Sequence, residues 1–244
     1  MAYRAKDFEG ALLELAKFEA TPGSATLSQY KRSLYNKAYA NFSKGNYEAA
    51  ATTFRLYLNK QRPGTKLAND AELRLADSYF MTSQYNNAIN YYQTYLGRSV
   101  PDADYAMFQQ SLCFGLVDDD QRKAGSLEKL VKKYPNSVYA TDAYFELGET
   151  YMKMGKENQA ESIFTAFIQD YPKSRFIKNA HIALGLIYRT QGKGNKALDQ
   201  FKSVVEDFPN TAESREALGL AKIQFAELDQ LTGYVDWIQT LTGT

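Results

Sequence analysis

The sequence predicts an all-α solenoid of stacked helix–turn–helix units, and three observations carry that reading. The prolines Pro135, Pro172 and Pro209 stand 37 residues apart. The segments before the last two share the same residues at the same offsets: Leu147-Gly148, Tyr151, Gly155, Ala160 and Phe164 in one, Leu184-Gly185, Tyr188, Gly192, Ala197 and Phe201 in the other. Within each segment the apolar positions recur at three and four residues, as in Ala160, Ile163, Phe164, Phe167, Ile168 and Tyr171, which is the stripe of a half-buried helix. A period between 20 and 50 residues marks units that bury their faces only against their neighbours.

The elements follow in order. Asp7 to Ala11, Leu15, Phe18 and Pro22-Gly23-Ser24 read as the second helix of a unit whose first helix is absent, so 1–27 is a half repeat. A chain opening on half a unit predicts that the natural protein carries further repeats on its N-terminal side. Repeat 28–64 holds Ala38, Gly45, Ala50, Phe54 and Pro63, with Asn41 where the later units have tyrosine. Repeat 65–103 holds Leu75-Ala76, Tyr79, Ala88, Tyr92 and Pro101, with Ser83 in place of the turn glycine. Repeat 104–137 is degenerate. Lys123 falls on a small-residue position and Asp118 to Asp120 replace the glycine turn, so its second helix is expected to be shifted or distorted. In repeat 138–174 the first helix is expected from Val138 to Met154, with Ser137 as N-cap offering an oxygen to the unpaired amides of the first turn. The second helix is expected over 157–170. Gly155 reverses the chain between them in a left-handed conformation, and Pro135 stops the preceding helix. Ser174 and Thr211 repeat the cap. Repeat 175–211 follows the same plan, and 212–244 closes the chain with a shortened second helix at Leu231, Tyr234 and Ile238. The whole of 1–244 is thus expected to form one solenoid domain.

The spaced set Leu-Gly, Tyr, Ala, Phe and Pro at 147–172, repeated at 184–209, resembles the tetratricopeptide repeat. The resemblance implies a right-handed superhelix whose helix pairs approach at the small residues Gly148, Ala160, Gly185 and Ala197. It also implies large residues, such as Tyr151, Phe164, Tyr188 and Phe201, between units. The Tyr-Pro-x-Ser and Phe-Pro-x-Thr endings, best matched over 102–211, resemble repeats of bacterial envelope proteins of the outer-membrane assembly lipoprotein and Tol–Pal coordinator type. That implies a periplasmic or outer-membrane-associated role.

Composition narrows the function. The 29 basic and 28 acidic residues leave a net charge of +1, which gives no basic face for nucleic acid. Residues 1–10 have no apolar core of a secretory signal, and no run of about 18 apolar residues predicts a membrane span. The only histidine, His181, has no partner at triad or metal-ligand spacing and reads as a packing residue. The only cysteine, Cys113, lies between Leu112 and Phe114 and reads as a buried, inert thiol. Asp118, Asp119 and Asp120 lack the spacing and glycine of a calcium loop and read as a helix-capping turn. The expectation is therefore a chain with no catalytic residue, no cofactor and no metal.

What remains is a surface. In tetratricopeptide proteins a fixed set of first-helix positions lines the concave groove. The resemblance carries these to Tyr35, Leu73, Phe108, Phe145 and Ile182 at its centre, with Tyr39, Asp77, Phe80, Leu112, Glu149, Met152, Leu186 and Arg189 flanking. The row is aromatic and apolar with a few charges, and the competing reading is that these side chains pack between neighbouring helices. The lysine–asparagine clamp that binds chaperone tails in the family is missing: Tyr35, Tyr39, Arg74, Asp142 and Glu146 stand in its places. The predicted function is a non-catalytic scaffold that holds a protein or peptide partner through an apolar anchor. The alternative is a cytoplasmic regulatory or sensor array binding a signalling peptide, and an enzyme is the least supported class.

Overall fold

The computed structural model describes residues 7–98 and 100–242. Residues 1–6, at the start of the expected half repeat, and 243–244 lie outside the described residues. All regular elements described are helical: α1 (Phe8–Ala20), α2 (Tyr30–Ser43), α3 (Tyr47–Asn59), α4 (Lys66–Met81), α5 (Tyr85–Leu96), α6 (Ala103–Leu116), α7 (Asp120–Lys133), α8 (Ala140–Lys153), α9 (Glu157–Asp170), α10 (Ile177–Thr190), α11 (Gly194–Asp207), α12 (Ala212–Glu227) and α13 (Leu231–Thr242), with a 3-10 turn at Ser24–Thr26. The chain divides into two compact units, 1–126 and 127–244.

In unit 1 each helix from α1 to α6 packs on the next. Its core joins the small residues Ala38, Ala50, Ala76 and Ala88 to the rings of Phe54, Tyr57, Tyr92 and Tyr95, all at most 1% exposed. Burying a ring of this size contributes about 1.5–3 kcal/mol. The buried phenols keep partners, as burial demands. Tyr95 donates to the Pro101 carbonyl at 2.5 Å, and the Tyr57 hydroxyl accepts from Gln61 at 3.2 Å. Unit 2 stacks α8 to α13 in the same sequential way. Phe164, Phe167 and Phe201 are fully buried there. A Cβ added to Gly148 would sit 2.6 Å from Cζ of Phe164, and one on Gly185 would meet the ring of Phe201. These mid-helix glycines, which cost helix propensity, exist to admit the ring of the paired helix.

The turn between paired helices is built one way six times. Gly45, Ser83, Asp118, Gly155, Gly192 and Asp229 all have φ between 56° and 81°. After each, the next amide donates back to the carbonyl five residues before it: Asn46 to Asn41, Gln84 to Tyr79, Asp119 to Phe114, Lys156 to Tyr151, Lys193 to Tyr188 and Gln230 to Phe225, at 2.8–2.9 Å. This is the hydrogen bond of a left-handed helix C-terminus. Where glycine is missing, Ser and Asp take the same conformation at some cost in backbone energy.

Several expected details change. The helices after Ser137 and Ser174 begin at Ala140 and Ile177, because each serine oxygen accepts from the amide two residues on, Tyr139 and Phe176, and holds a turn ahead of the helix. Only Thr211 acts as the N-cap expected, accepting from Ser214 at 3.1 Å. In the degenerate repeat α7 is neither shifted nor distorted: it runs regularly from Asp120, and Ala124, Leu127 and Leu130 are buried. Lys123 is accommodated by Gly115 on α6, whose Cβ would lie 3.1 Å from the lysine Cδ. The small residue has moved to the opposite helix. At the chain end α13 is anchored by a residue the sequence reading passed over. Trp237 packs on Phe225, with ring centroids 5.8 Å apart, and donates to Glu206 of α11 at 2.6 Å.

Two outcomes are expected. Gly148→Ala gains about 1 kcal/mol of helix propensity. The ring of Phe164 is fully buried and lies within 3 Å of the added methyl, so overpacking of about 1–3 kcal/mol should win and lower the urea midpoint. A raised midpoint would show that the ring can yield. Ser83→Gly should do the reverse. Relief of a left-handed residue, about 1–2 kcal/mol, exceeds the added unfolded-chain entropy of about 0.4–1 kcal/mol. A higher urea midpoint than wild type is the expected reading.

Candidate protein-interaction surface

In unit 1 the groove positions come from α2, α4 and α6. Tyr35, Tyr39, Phe80, Phe108 and Leu112 are half-buried, whereas Leu73 and Asp77 are buried, at 2% and 5% exposure. Tyr35 leans on Tyr39 and Tyr57, with centroids 6.1 and 5.5 Å away, and donates to Asp70 at 2.6 Å. From there a polar network runs inward. Arg74 lies between Asp70 and Asp77, 3.8 and 2.7 Å from their oxygens. Asp77 also accepts from Tyr92 at 2.7 Å and from Tyr105 at 3.0 Å. One carboxylate therefore ties α4 to α5 and α6. Asp70, Arg74 and Asp77 recur at four and three residues on one face of α4, a spacing that could have exposed the network in the sequence. Burial pushes the Asp77 carboxyl above the usual carboxylate range, against its hydrogen bonds and Arg74, which favour the charge. Burial and the adjacent Asp77 raise Tyr92 strongly, so it remains a donor. Beside this network a cleft of about 420 Å³ opens between Lys66, Asp70, Leu73, Tyr95, Pro101 and Asp102.

In unit 2 the positions come from α8 and α10. Phe145, Met152, Leu186 and Arg189 are half-buried, Glu149 is exposed and Ile182 is buried at 6%. Phe145 is more deeply engaged than a groove residue need be. It stacks on Phe176 at 4.6 Å and 7°, and also meets Phe164 and Phe167. Arg175 covers the far side of that stack, 4.5 Å from the Phe176 ring, and pairs with Asp142 at 2.7 Å. Arg189 is held by both oxygens of Glu227. Leu73, Asp77 and Ile182 thus pack inside their units, and Tyr35, Tyr39, Phe80, Phe108, Leu112, Phe145, Glu149, Met152, Leu186 and Arg189 keep some surface.

The residues weighed for chemistry are placed too. His181 is half-buried with Nδ1 2.8 Å from the Gln200 side-chain oxygen. Cys113 is fully buried, and burial pushes its thiol up to about 12, so it stays protonated at neutral pH. Asp119 caps α7, accepting from the Arg122 amide at 3.0 Å. What the arrangement offers is contact surface.

Repeated helix pairs with six left-handed turns, and these rows of half-buried rings, define a tetratricopeptide-repeat protein, and residues 142–174 and 180–211 match that repeat. The chain belongs to the family described as YfiO, outer membrane lipoprotein, which matches residues 28–154. It is similar to the outer membrane protein assembly factor BamD of Caulobacter vibrioides, 26% identical over 162 residues, covering 56% of this chain and 52% of that protein. It is also similar to BamD of Rickettsia prowazekii, 28% identical over 124 residues, covering 47% and 49%. The chain spans about half the length of these curated relatives. Among solved structures, the C-terminal part of a repeat protein from Cytophaga hutchinsonii covers all of this chain and 93% of its own, with a TM-score of 0.70 at 16% identity. YrrB, described as having an unusual peptide-binding site, covers 76% of this chain and 90% of its own, at TM-score 0.59 and 18% identity. At these identities the solved structures show the fold alone. No described helix is long and apolar enough to cross a membrane.

The Asp77 network predicts a pH signature. A carboxyl whose folded pKa is raised contributes most stability below its unfolded value of about 3.9. That contribution declines as pH rises through the folded value. The Tyr92 donor limits the decline, since it favours the ionised form. Tyr92→Phe should therefore cost about 1.5–3 kcal/mol once Asp77 is ionised. Urea unfolding should show a larger loss near pH 7 than near pH 4. Equal losses at both would mean that the phenol does not serve the carboxylate.

Proposed function

We propose that this protein is a non-catalytic interaction scaffold of the bacterial envelope, working on the periplasmic side of the outer membrane in outer membrane protein assembly. The observation that carries the reading is the family match over 28–154, the stretch that contains the aromatic row and polar network of unit 1. The curated relatives support it by their description as assembly factors. A partner segment anchors on half-buried rings such as Tyr39, Phe80 and Phe108. Aromatic anchors in desolvated pockets dominate interface energies, and rings already packed against a core lose little entropy on binding. The Asp70–Arg74–Asp77 network fixes α4 beneath them.

Depletion of the natural full-length protein from its host should lower the amount of folded outer membrane protein, read by semi-native electrophoresis. Wild type should restore it, and Tyr39→Ala/Phe80→Ala, matched for expression and helicity, should restore less than half. Unchanged folding on depletion would overturn the envelope role. Full rescue by the double variant would remove these rings as anchors.

A further inference from the structure

The near-neutral net charge conceals a strong separation within unit 1. Between residues 20 and 69 there are eight lysines and arginines against one acidic residue, Glu48. Between residues 70 and 120 there are eight acidic residues against Arg74 and Arg98. Half of these eight acids are answered by arginines. Asp70, Asp77 and Asp119 are held by arginines, and Glu72 by Arg98. The basic stretch is not. Lys37 and Lys44 pair with Glu19 and Glu9, but Lys31, Arg32, Arg55, Lys60, Arg62 and Lys66 are exposed and form no ion pair among the described residues.

Most of these cations gather around one turn. The turn between α3 and α4 carries Lys60 and Arg62, with Lys66 at its far end. Lys60 reaches back over the ring of Tyr30, 5.8 Å away, beside Lys31. On the other side the turn residues Gln61, Pro63 and Gly64 wall a cleft of about 240 Å³ together with Arg55, Arg98, Tyr91 and Thr94. The one acid in that cleft, Glu72, is already neutralised by Arg98. None of the cleft residues belongs to the aromatic groove row. Arg55, Lys60 and Arg62, close together and without an ion pair, repel one another, and an anionic ligand removes that cost.

We propose that this edge of unit 1, the α3–α4 turn and its cleft, is a second docking surface, for an acidic segment of a partner protein. Carboxylates reach Arg62, Lys60 and Arg55, with the guanidinium forks offering paired hydrogen bonds. The side-chain amides of Asn59 and Gln61 and the hydroxyl of Thr94 suit a peptide backbone, and Tyr91 and Pro63 supply apolar walls. A concave cleft with polar walls fits a peptide better than a lipid surface, which calls for a broad face with inserting aromatics. The proposal goes beyond the groove reading and does not depend on it.

The test uses the intact 244-residue chain and a fluorescein-labelled octaglutamate peptide, followed by anisotropy at low and physiological salt. Phosphatidylglycerol vesicles are run in parallel. Octaglutamate should bind, more weakly as salt rises. Arg55→Glu/Arg62→Glu should weaken it at least tenfold. Lys129→Glu/Lys132→Glu, which changes net charge equally on exposed positions elsewhere, should weaken it less than twofold. Tyr39→Ala/Phe80→Ala should bind octaglutamate as wild type does, so the edge and the groove stand or fall separately. Equal loss in the two charge-reversed variants would overturn the proposal, as would no octaglutamate binding. So would vesicle binding that the edge variant abolishes while octaglutamate binding stays unchanged, which would assign the edge to a membrane surface.

Discussion

The contact between a glycine or alanine on one helix and a ring on its partner sets the geometry of the regular units. Gly148 faces Phe164 and Gly185 faces Phe201 so closely that even a methyl group has no room. In unit 1 the same sixteen-residue spacing pairs Ala38 with Phe54 and Ala76 with Tyr92 in one buried cluster. Such a contact fixes how far apart two helices lie, because close-packed interiors do not absorb an extra methylene. Once the distance is fixed, the turn joining the helices is fixed too. Hence six left-handed residues recur at near-constant spacing even where the residue is Ser83, Asp118 or Asp229. The backbone strain at these three positions is smaller than the packing that enforces it.

The two units fill their cores with different chemistry. Unit 2 relies on phenylalanine: Phe145, Phe164, Phe167 and Phe176 form one ring cluster. Unit 1 relies on tyrosine, and each buried phenol brings a polar group that must be answered. Asp77 answers the buried Tyr92 and the half-buried Tyr105 and is in turn answered by Arg74. Buried networks of this kind specify a single arrangement when every member is satisfied. The half-buried rings of Tyr35 and Tyr39 rest on that arrangement, which gives a binding surface its preorganisation.

Charge is distributed as unevenly as the rings. Acidic residues of unit 1 are largely consumed in holding helices together, whereas the cations of the α3–α4 edge have no such employment. The two proposed surfaces are thus unlike, one apolar and preorganised, one cationic and sensitive to salt.

The helical repeat was legible in the sequence because it rests on local periodicity and on glycine and proline at fixed offsets, which few other conformations tolerate. Helix α9 lies where the stripe placed it, at Glu157–Asp170, and the turns at Gly45, Gly155 and Gly192 are left-handed as their residue type demanded. Other features depended on side chains of another helix. Lys123 fits because Gly115 gives way across the helix pair, Trp237 anchors α13 by reaching Glu206, and Leu73, Asp77 and Ile182 turn inward while Tyr39 and Leu186 keep surface. A repeat pattern assigns a residue to a helix face. Only tertiary packing decides how much of that face its neighbours cover, because coverage is set by side chains on other helices whose identities vary from one repeat to the next.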